Sequence, residues 1–169
     1  MSDKQSLCVM YPCPKHIQDH FRRTGLTDQE DMHVTVYEHG GVSWGEYETF
    51  VEKLRLVLAN RAPLTIKIGG QGLFYNEKRE CIKIALIDCV GLDMVRAITC
   101  QVGMNVGFLP KPEHGFTPHM TIGKEDHFPT QYDLRFAKQF SGTSWKGTEL
   151  LVHWGYPNIR TEKILIQGK

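Results

Sequence analysis

The sequence has no long apolar run, and no window approaches the roughly 18 consecutive apolar residues that a membrane-spanning helix requires. Its start, MSDKQSLCVM, has no basic segment followed by an apolar stretch, so nothing there reads as an export signal and a cytoplasmic protein is expected. Net charge is nearly absent. Twenty Lys and Arg face 19 Asp and Glu, for a formal charge of +1. A polynucleotide partner would therefore need a local basic patch, and a membrane surface is not indicated. Cysteine pairing signals are missing as well. Cys8, Cys13, Cys81, Cys89 and Cys100 are odd in number, form no CxxC pair and sit partly inside apolar runs such as SLCVMY and CIKIALIDC. They read as reduced thiols rather than as disulfides or metal ligands. The glycines of IGGQGLF are followed by no GK[ST] and open no helix, which excludes a phosphate-binding loop of that kind and leaves a turn or bulge.

What is present is the composition of a folded domain. Of 169 residues, 41% are hydrophobic and 23% charged, with three Trp, eight Phe and six Tyr. That length suits one domain with a substantial core. The spacing predicts a strand over SLCVMY (6–11), a helix through KHIQDHFRR, and a strand in DMHVTVYE. Ser43 is placed to cap a helix in WGEYETFVEKLRLVLAN, where Tyr47, Phe50, Val51, Leu54, Val57 and Leu58 form one stripe. Strands are expected at LTIKIG (64–69) and CIKIALID (81–88), with GGQGLFYNEKRE as a turn-rich connection. A second helix is expected in GLDMVRAITCQVG, a strand in HMTIGK, a short helix in TQYDLRFAKQF, and last strands in TELLVHWG and KILIQG.

Within this plan one pattern occurs twice. HVTV (33–36) and HMTI (119–122) each place a histidine two residues before a threonine, with aliphatic residues between and after. A strand alternates its side chains, so His33 and Thr35 share one face, as do His119 and Thr121. The order strand, helix, motif strand, helix, strand precedes and follows the middle of the chain, which suggests an internal duplication. Two similar α+β lobes would then bring two imidazoles and two hydroxyls together in a cleft, where ligands prefer to bind. Imidazole titrates near pH 6.5, so one ring can accept a proton while the other donates one. Hydroxyls donate to phosphate oxygens without adding charge. The set fits in-line displacement at phosphorus without a metal.

HVTV, GQGLF (70–74) before an apolar strand, FTPHMTIGK (116–124) and the closing LLVHWG (150–155) resemble the two-histidine (2H) phosphoesterase superfamily, which includes LigT-like RNA ligases and cyclic phosphodiesterases. The resemblance runs over nearly all of the chain and is greatest to compact members often found in bacteriophage genomes. It implies one α+β domain, 1–169, of two pseudo-symmetric lobes (about 1–75 and 76–169). Each lobe is an antiparallel sheet with helices on its outer face, and the active-site cleft lies between them. It implies catalytic roles for His33 and His119, phosphate contacts from Thr35 and Thr121, no metal and no cofactor. Its substrate range covers 2',3'-cyclic phosphates, 2'-5' linked oligonucleotides and cyclic nucleotide messengers of antiviral defence, with RNA ligation as a further family activity. The host cytoplasm is the expected place if the gene is phage-borne, and a monomer or small homo-oligomer the expected state. A non-catalytic module that sequesters a nucleotide on the same fold is the rival.

Other residues stay open at this level. Tyr11, Trp154 and Tyr156 end strands, where each serves equally well to stack on a base at the cleft rim or to pack elsewhere. Phe74 either lines the substrate site or packs. Lys124, directly after the second motif, would offset phosphate charge, although alternation points it to the other face. His153 alternates with Trp154, so only one of the two should face the cleft. His16 and His20 have a helical spacing that could hold a metal, but a solvated face is favoured. His39, His114 and His127 fall in polar loops without an assigned role, although His114, close before the second motif, is placed to help bind phosphate. NVGFLPKPEHG is the loop placed to close over the site.

Overall fold

The computed structural model describes residues 3–25, 27, 29–110, 116–125, 134–155 and 159–168. The elements in chain order are β1 (Gln5–Pro12), α1 (Lys15–Arg23), β2 (His33–Val42), α2 (Trp44–Leu58), β3 (Leu64–Tyr75), β4 (Cys81–Asp88), α3 (Leu92–Val106), β5 (His119–Glu125), α4 (Leu134–Phe140), β6 (Ser144–Gly147), β7 (Glu149–Trp154) and β8 (Arg160–Leu165). The eight strands form one sheet in the order β6-β3-β4-β5-β2-β1-β7-β8. Every neighbouring pair is antiparallel. The fold is therefore α+β, as expected.

The two motif strands lie side by side at the centre of this order, and each leads outward into three further strands. One half of the sheet is β2-β1-β7-β8 and the other is β5-β4-β3-β6. These halves do not coincide with residues 1–75 and 76–169. β3 from the first stretch pairs with β4, and β7 from the second pairs with β1. The reason is that β3 and β4 are joined by a tight connection in which Asn76 bonds Glu80, which makes them a hairpin.

One face of the sheet carries the core. Val9, Val34, Val36, Ile66, Ile68, Ala85, Ile87, Met120, Ile122, Leu150 and Val152 gather with the buried faces of the helices into a single cluster. α2 contributes Tyr47, Phe50, Val51, Leu54 and Leu58, the stripe predicted from spacing except that Val57 is exposed. Its start is the predicted cap: Ser43 Oγ accepts from the Glu46 amide, and the Glu46 carboxylate accepts from the Ser43 amide at 2.8 Å. α1 and α4 meet through Phe21 and Phe140, whose rings stack at 3.7 Å. Burying a side chain of this kind contributes about 1.5 to 3 kcal/mol.

The structure departs from the expected pattern at two places among the described residues. GGQGLFY is the second part of β3 rather than a connection, and only the short Asn76–Glu80 segment turns. A bulge near Gly69, seen as a register shift between Ile68 and Gly70, marks the glycines instead. Ser144–Gly147 forms an additional edge strand, β6, of four residues with alternating burial. The beginning of TQYDLRFAKQF lies outside the described residues. Among the described residues no helix is long and apolar enough to cross a membrane.

Candidate active site

β2 and β5 meet at one register pair, Val34 with Met120. Both residues are fully buried on the core face. Their neighbours therefore project from the opposite face, and antiparallel geometry sets His33 across from Thr121 and Thr35 across from His119. Each histidine faces the other motif's threonine. All four side chains are half-buried, open to the cleft yet held by the strands.

The imidazoles are oriented alike. His33 Nδ1 lies 2.9 Å from the Asp31 carbonyl oxygen, and His119 Nδ1 lies 2.8 Å from that of Thr117. A carbonyl oxygen only accepts, so each Nδ1 carries a hydrogen. Nε2 then holds the lone pair in a neutral ring and a proton in a charged one.

Strand pairing extends this face to both sides. Along β4, Leu86 pairs with both His119 and Gly70, Ile84 with Thr121 and Gly72, and Ile82 with Lys124 and Phe74. Phe74 thus lies on the cleft face, and its ring stands edge-on to His119 at 5.4 Å. Gly70 and Gly72 lie on the same face of β3 as Phe74. A Cβ at Gly72 would come within 3.2 to 3.3 Å of Ile84 and Leu86. Lys124 also lies on this face, contrary to simple alternation, because a register shift between Lys83 and Ile84 places an extra residue in β5. Its ammonium is 3.1 Å from both Glu80 oxygens. Hydrogen bonding from Asn76, then from Lys124, holds the Glu80 carboxyl below its usual range. Lys124 is thus an exposed ion-pair partner whose charge is directed to Glu80.

The other half of the sheet corrects two expectations. Tyr11 pairs with core-facing Val34 and is fully buried, so it does not stand at the cleft rim. Its ring fills the space above Gly147, where an added Cβ would lie 2.8 Å away. Trp154 pairs with buried Leu7, donates from Nε1 to the Val42 carbonyl at 2.9 Å, and packs against Trp44 and Tyr47. It belongs to the core, and His153 takes the cleft face in its place. His153 pairs with Cys8 and Thr161, and its Nδ1 lies 2.6 Å from Thr161 Oγ1. Burial first, and nearby His33 second, lower its pKa, while Asp31 opposes them. Tyr156, His114, His127 and the rest of the KPEHG stretch lie outside the described residues. His16 is exposed and His20 packs against the Phe140 ring at 4.8 Å. Among the described residues no group of three or more His, Cys, Asp or Glu is placed to hold a metal.

Two cavities adjoin the crossed motifs. The first, about 590 Å³, includes Thr35, Glu38, Arg96, Phe116 and His119 in its wall. Arg96 lies 4.2 Å over the Phe116 ring and donates to the Val36 carbonyl at 2.7 Å, at the point where β2 bulges. The second, about 710 Å³, includes Cys8, Met10, His33, Glu38, Leu151 and His153. Burial, then Glu38, pushes the Cys8 thiol up to about 12, so it stays protonated. Arg96 and Glu38 line these cavities and are not singled out by the sequence. Arg96 carries no signal beyond lying off the apolar stripe of α3. Glu38 is hidden by the bulge at Val36: an acid in phase with Val34 and Val36 is the available hint. Phe116 is visible only as part of FTPHMTI.

No protein-family model and no curated protein matches the sequence. Solved structures do match in fold. LigT of E. coli in apo form superposes with a TM-score of 0.68 at 16% identity, covering 98% of this chain and 96% of that one. TT0787 of Thermus thermophilus gives 0.72 at 15% identity over 97% and 99%. Usb1 of Kluyveromyces marxianus with uridine monophosphate gives 0.61 at 9% identity over 98% and 100%. LigT has also been solved with 3'-AMP. The chain has the LigT-like fold.

Proposed function

We propose that this protein is a two-histidine phosphodiesterase acting on nucleotide or oligonucleotide phosphodiesters. The observation that carries the reading is the crossed arrangement of His33, Thr35, His119 and Thr121 on the open face of β2 and β5. A phosphodiester laid over that cross would receive hydrogen bonds from the two threonine hydroxyls as charge builds on its free oxygens. One imidazole Nε2 removes a proton from water or a ribose hydroxyl while that oxygen attacks phosphorus. The other protonates the departing oxygen as its P–O bond breaks. Acid, base and anion donors are all side chains of this chain, so the mechanism calls for no metal and no cofactor. Arg96, bordering the same cavity as Thr35 and His119, adds positive charge beside the phosphate. Binding of nucleotides by folds of this kind, as in LigT with 3'-AMP and Usb1 with uridine monophosphate, supports a nucleotide substrate. Within the class, 2',3'-cyclic phosphates, 2'-5' linked oligonucleotides and cyclic oligonucleotide messengers of antiviral defence are the substrates to separate, and a role in the cytoplasm of a phage-infected host follows from the last.

The test is product analysis by mass spectrometry in excess chelator. The purified protein is incubated with 2',3'-cyclic nucleotides, 2'-5' and 3'-5' oligonucleotides, and cyclic di- and trinucleotides, beside the His33→Ala/His119→Ala double variant. Cleavage of one class by the wild type alone is expected. Retention of one compound intact would instead identify a nucleotide-sequestering module.

A further inference from the structure

The feature that phosphodiester chemistry does not use is a carboxylate on the cleft floor. Glu38 reaches the cleft face because the bulge near Val36 shifts β2 by one residue, so that Thr35 pairs with Met10 and Glu38 with Cys8. The two partners are two residues apart on β1, which places Glu38 about 6.6 Å along the strand from Thr35. It is exposed and borders both cavities. Among the described residues its contact is the Cys8 thiol, at 3.9 Å. A protonated thiol at that distance leaves most of the carboxylate's accepting capacity open. An anion so near a phosphate site opposes the substrate's own charge. Its presence makes physical sense where the substrate brings N–H donors to it.

We propose that Glu38 is a specificity-determining residue that reads the guanine edge of a nucleotide in the second cavity; the proposal rests on the phosphodiesterase reading above. Guanine offers two adjacent donors, the ring N1–H and the exocyclic amine, spaced to meet both oxygens of one carboxylate. Adenine and cytosine set a ring acceptor beside their amine, and uracil flanks its one donor with acceptors. The cavity has the rest of what a purine needs. Met10 and Leu151 pair across β1 and β7 on the cleft face and supply an apolar floor, with the thioether suited to an aromatic ring. The volume of about 710 Å³ accommodates a nucleoside. Charge also distinguishes the two cavities: Glu38 borders both, whereas Arg96 lines the first and not the second, so a donor-rich base in the second meets the carboxylate without the guanidinium.

The experiment compares kcat/KM for the active linkage made with guanosine, inosine or adenosine, in wild type and Glu38→Gln. Inosine keeps the ring N–H and lacks the amine. Wild type is expected to prefer guanosine over adenosine by roughly tenfold to a hundredfold, with inosine between them, and Glu38→Gln to collapse most of that ratio. Equal rates on all three in wild type, or a ratio unchanged in the variant, would overturn the proposal. So would a loss of equal size on guanosine and adenosine substrates. Bis(p-nitrophenyl) phosphate, which has no base, is run in parallel with wild type and the double histidine variant. Hydrolysis there without guanine preference sinks the inference and leaves the phosphodiesterase reading in place. Where nothing is hydrolysed, that reading falls, and calorimetric binding of GMP, IMP and AMP to wild type and Glu38→Gln decides the guanine assignment.

Discussion

His33 and His119 are held by the same bond, each from Nδ1 to the backbone carbonyl two residues upstream, at 2.9 and 2.8 Å. The repetition concerns more than sequence. Two motifs on neighbouring strands hold their rings by the same contact, so Nδ1 is the engaged nitrogen in both. A structural histidine has no evident need for such matching, whereas an acid and a base acting on one phosphorus do.

Replacing either histidine alone by alanine is expected to lower turnover by a factor on the order of a hundred or more. Both side chains are half-buried outside the core cluster, so the melting temperature should barely change. A pH–rate profile sharpens the test. Wild type should give a bell, and each single variant should lose one limb. Near wild-type rates in both variants would exclude the assignment.

Thr35→Val and Thr121→Val keep the shape of each side chain and remove the hydroxyl. On the proposed function, in which both hydroxyls hold phosphate oxygens, each variant should lose roughly tenfold to a hundredfold in kcat, toward the lower end because the site is open to water. KM should move less than kcat if the hydroxyls act chiefly as charge develops. A change confined to KM would make them ground-state contacts.

Much of this site is legible in the sequence because period-two alternation survives over short strands. Spacing alone assigns His33 with Thr35 and His119 with Thr121 to one face, and the core partners Val34 and Met120 to the other. Alternation fails where a strand takes in an extra residue. Bulges near Val36 and Ile122 bring Glu38 and Lys124 to the cleft face, and the bulge near Gly69 keeps β3 running through glycines that read as a turn. Strand ends are equally misleading for Tyr11 and Trp154. Which face a terminal aromatic takes depends on its cross-strand partner, here Val34 and Leu7, and partners are set by tertiary pairing.

Tyr11 offers a direct check of that correction. Its hydroxyl is buried without a hydrogen-bond partner among the described residues, while its ring packs where a side chain at Gly147 would collide. Tyr11→Phe should therefore leave activity intact and hold or raise stability, by up to about 1 kcal/mol, since an unpaired buried donor is removed. Gly147→Ala should cost about 1 to 3 kcal/mol through overpacking. Thermal unfolding and a KM measurement on Tyr11→Phe suffice. A weakened KM with unchanged stability would return Tyr11 to the substrate site.

His153 predicts a pH dependence of stability with a definite sign. Burial, then His33, lowers its pKa below the ordinary 6.5. In the window just below 6.5 the unfolded chain therefore binds more protons at this position than the folded one. Its contribution is fully present above about pH 6.5 and is lost as pH falls through the lower folded value. Denaturant unfolding at pH steps from about 7.5 down to 4.5 spans that range on both sides of the ordinary value. His153→Asn, which keeps a polar partner for Thr161 but cannot titrate, should show a shallower fall than wild type across it. Identical slopes would mean that the imidazole protonates as readily in the folded protein as in the unfolded one, and that His153 stands in solvent rather than against the cleft floor.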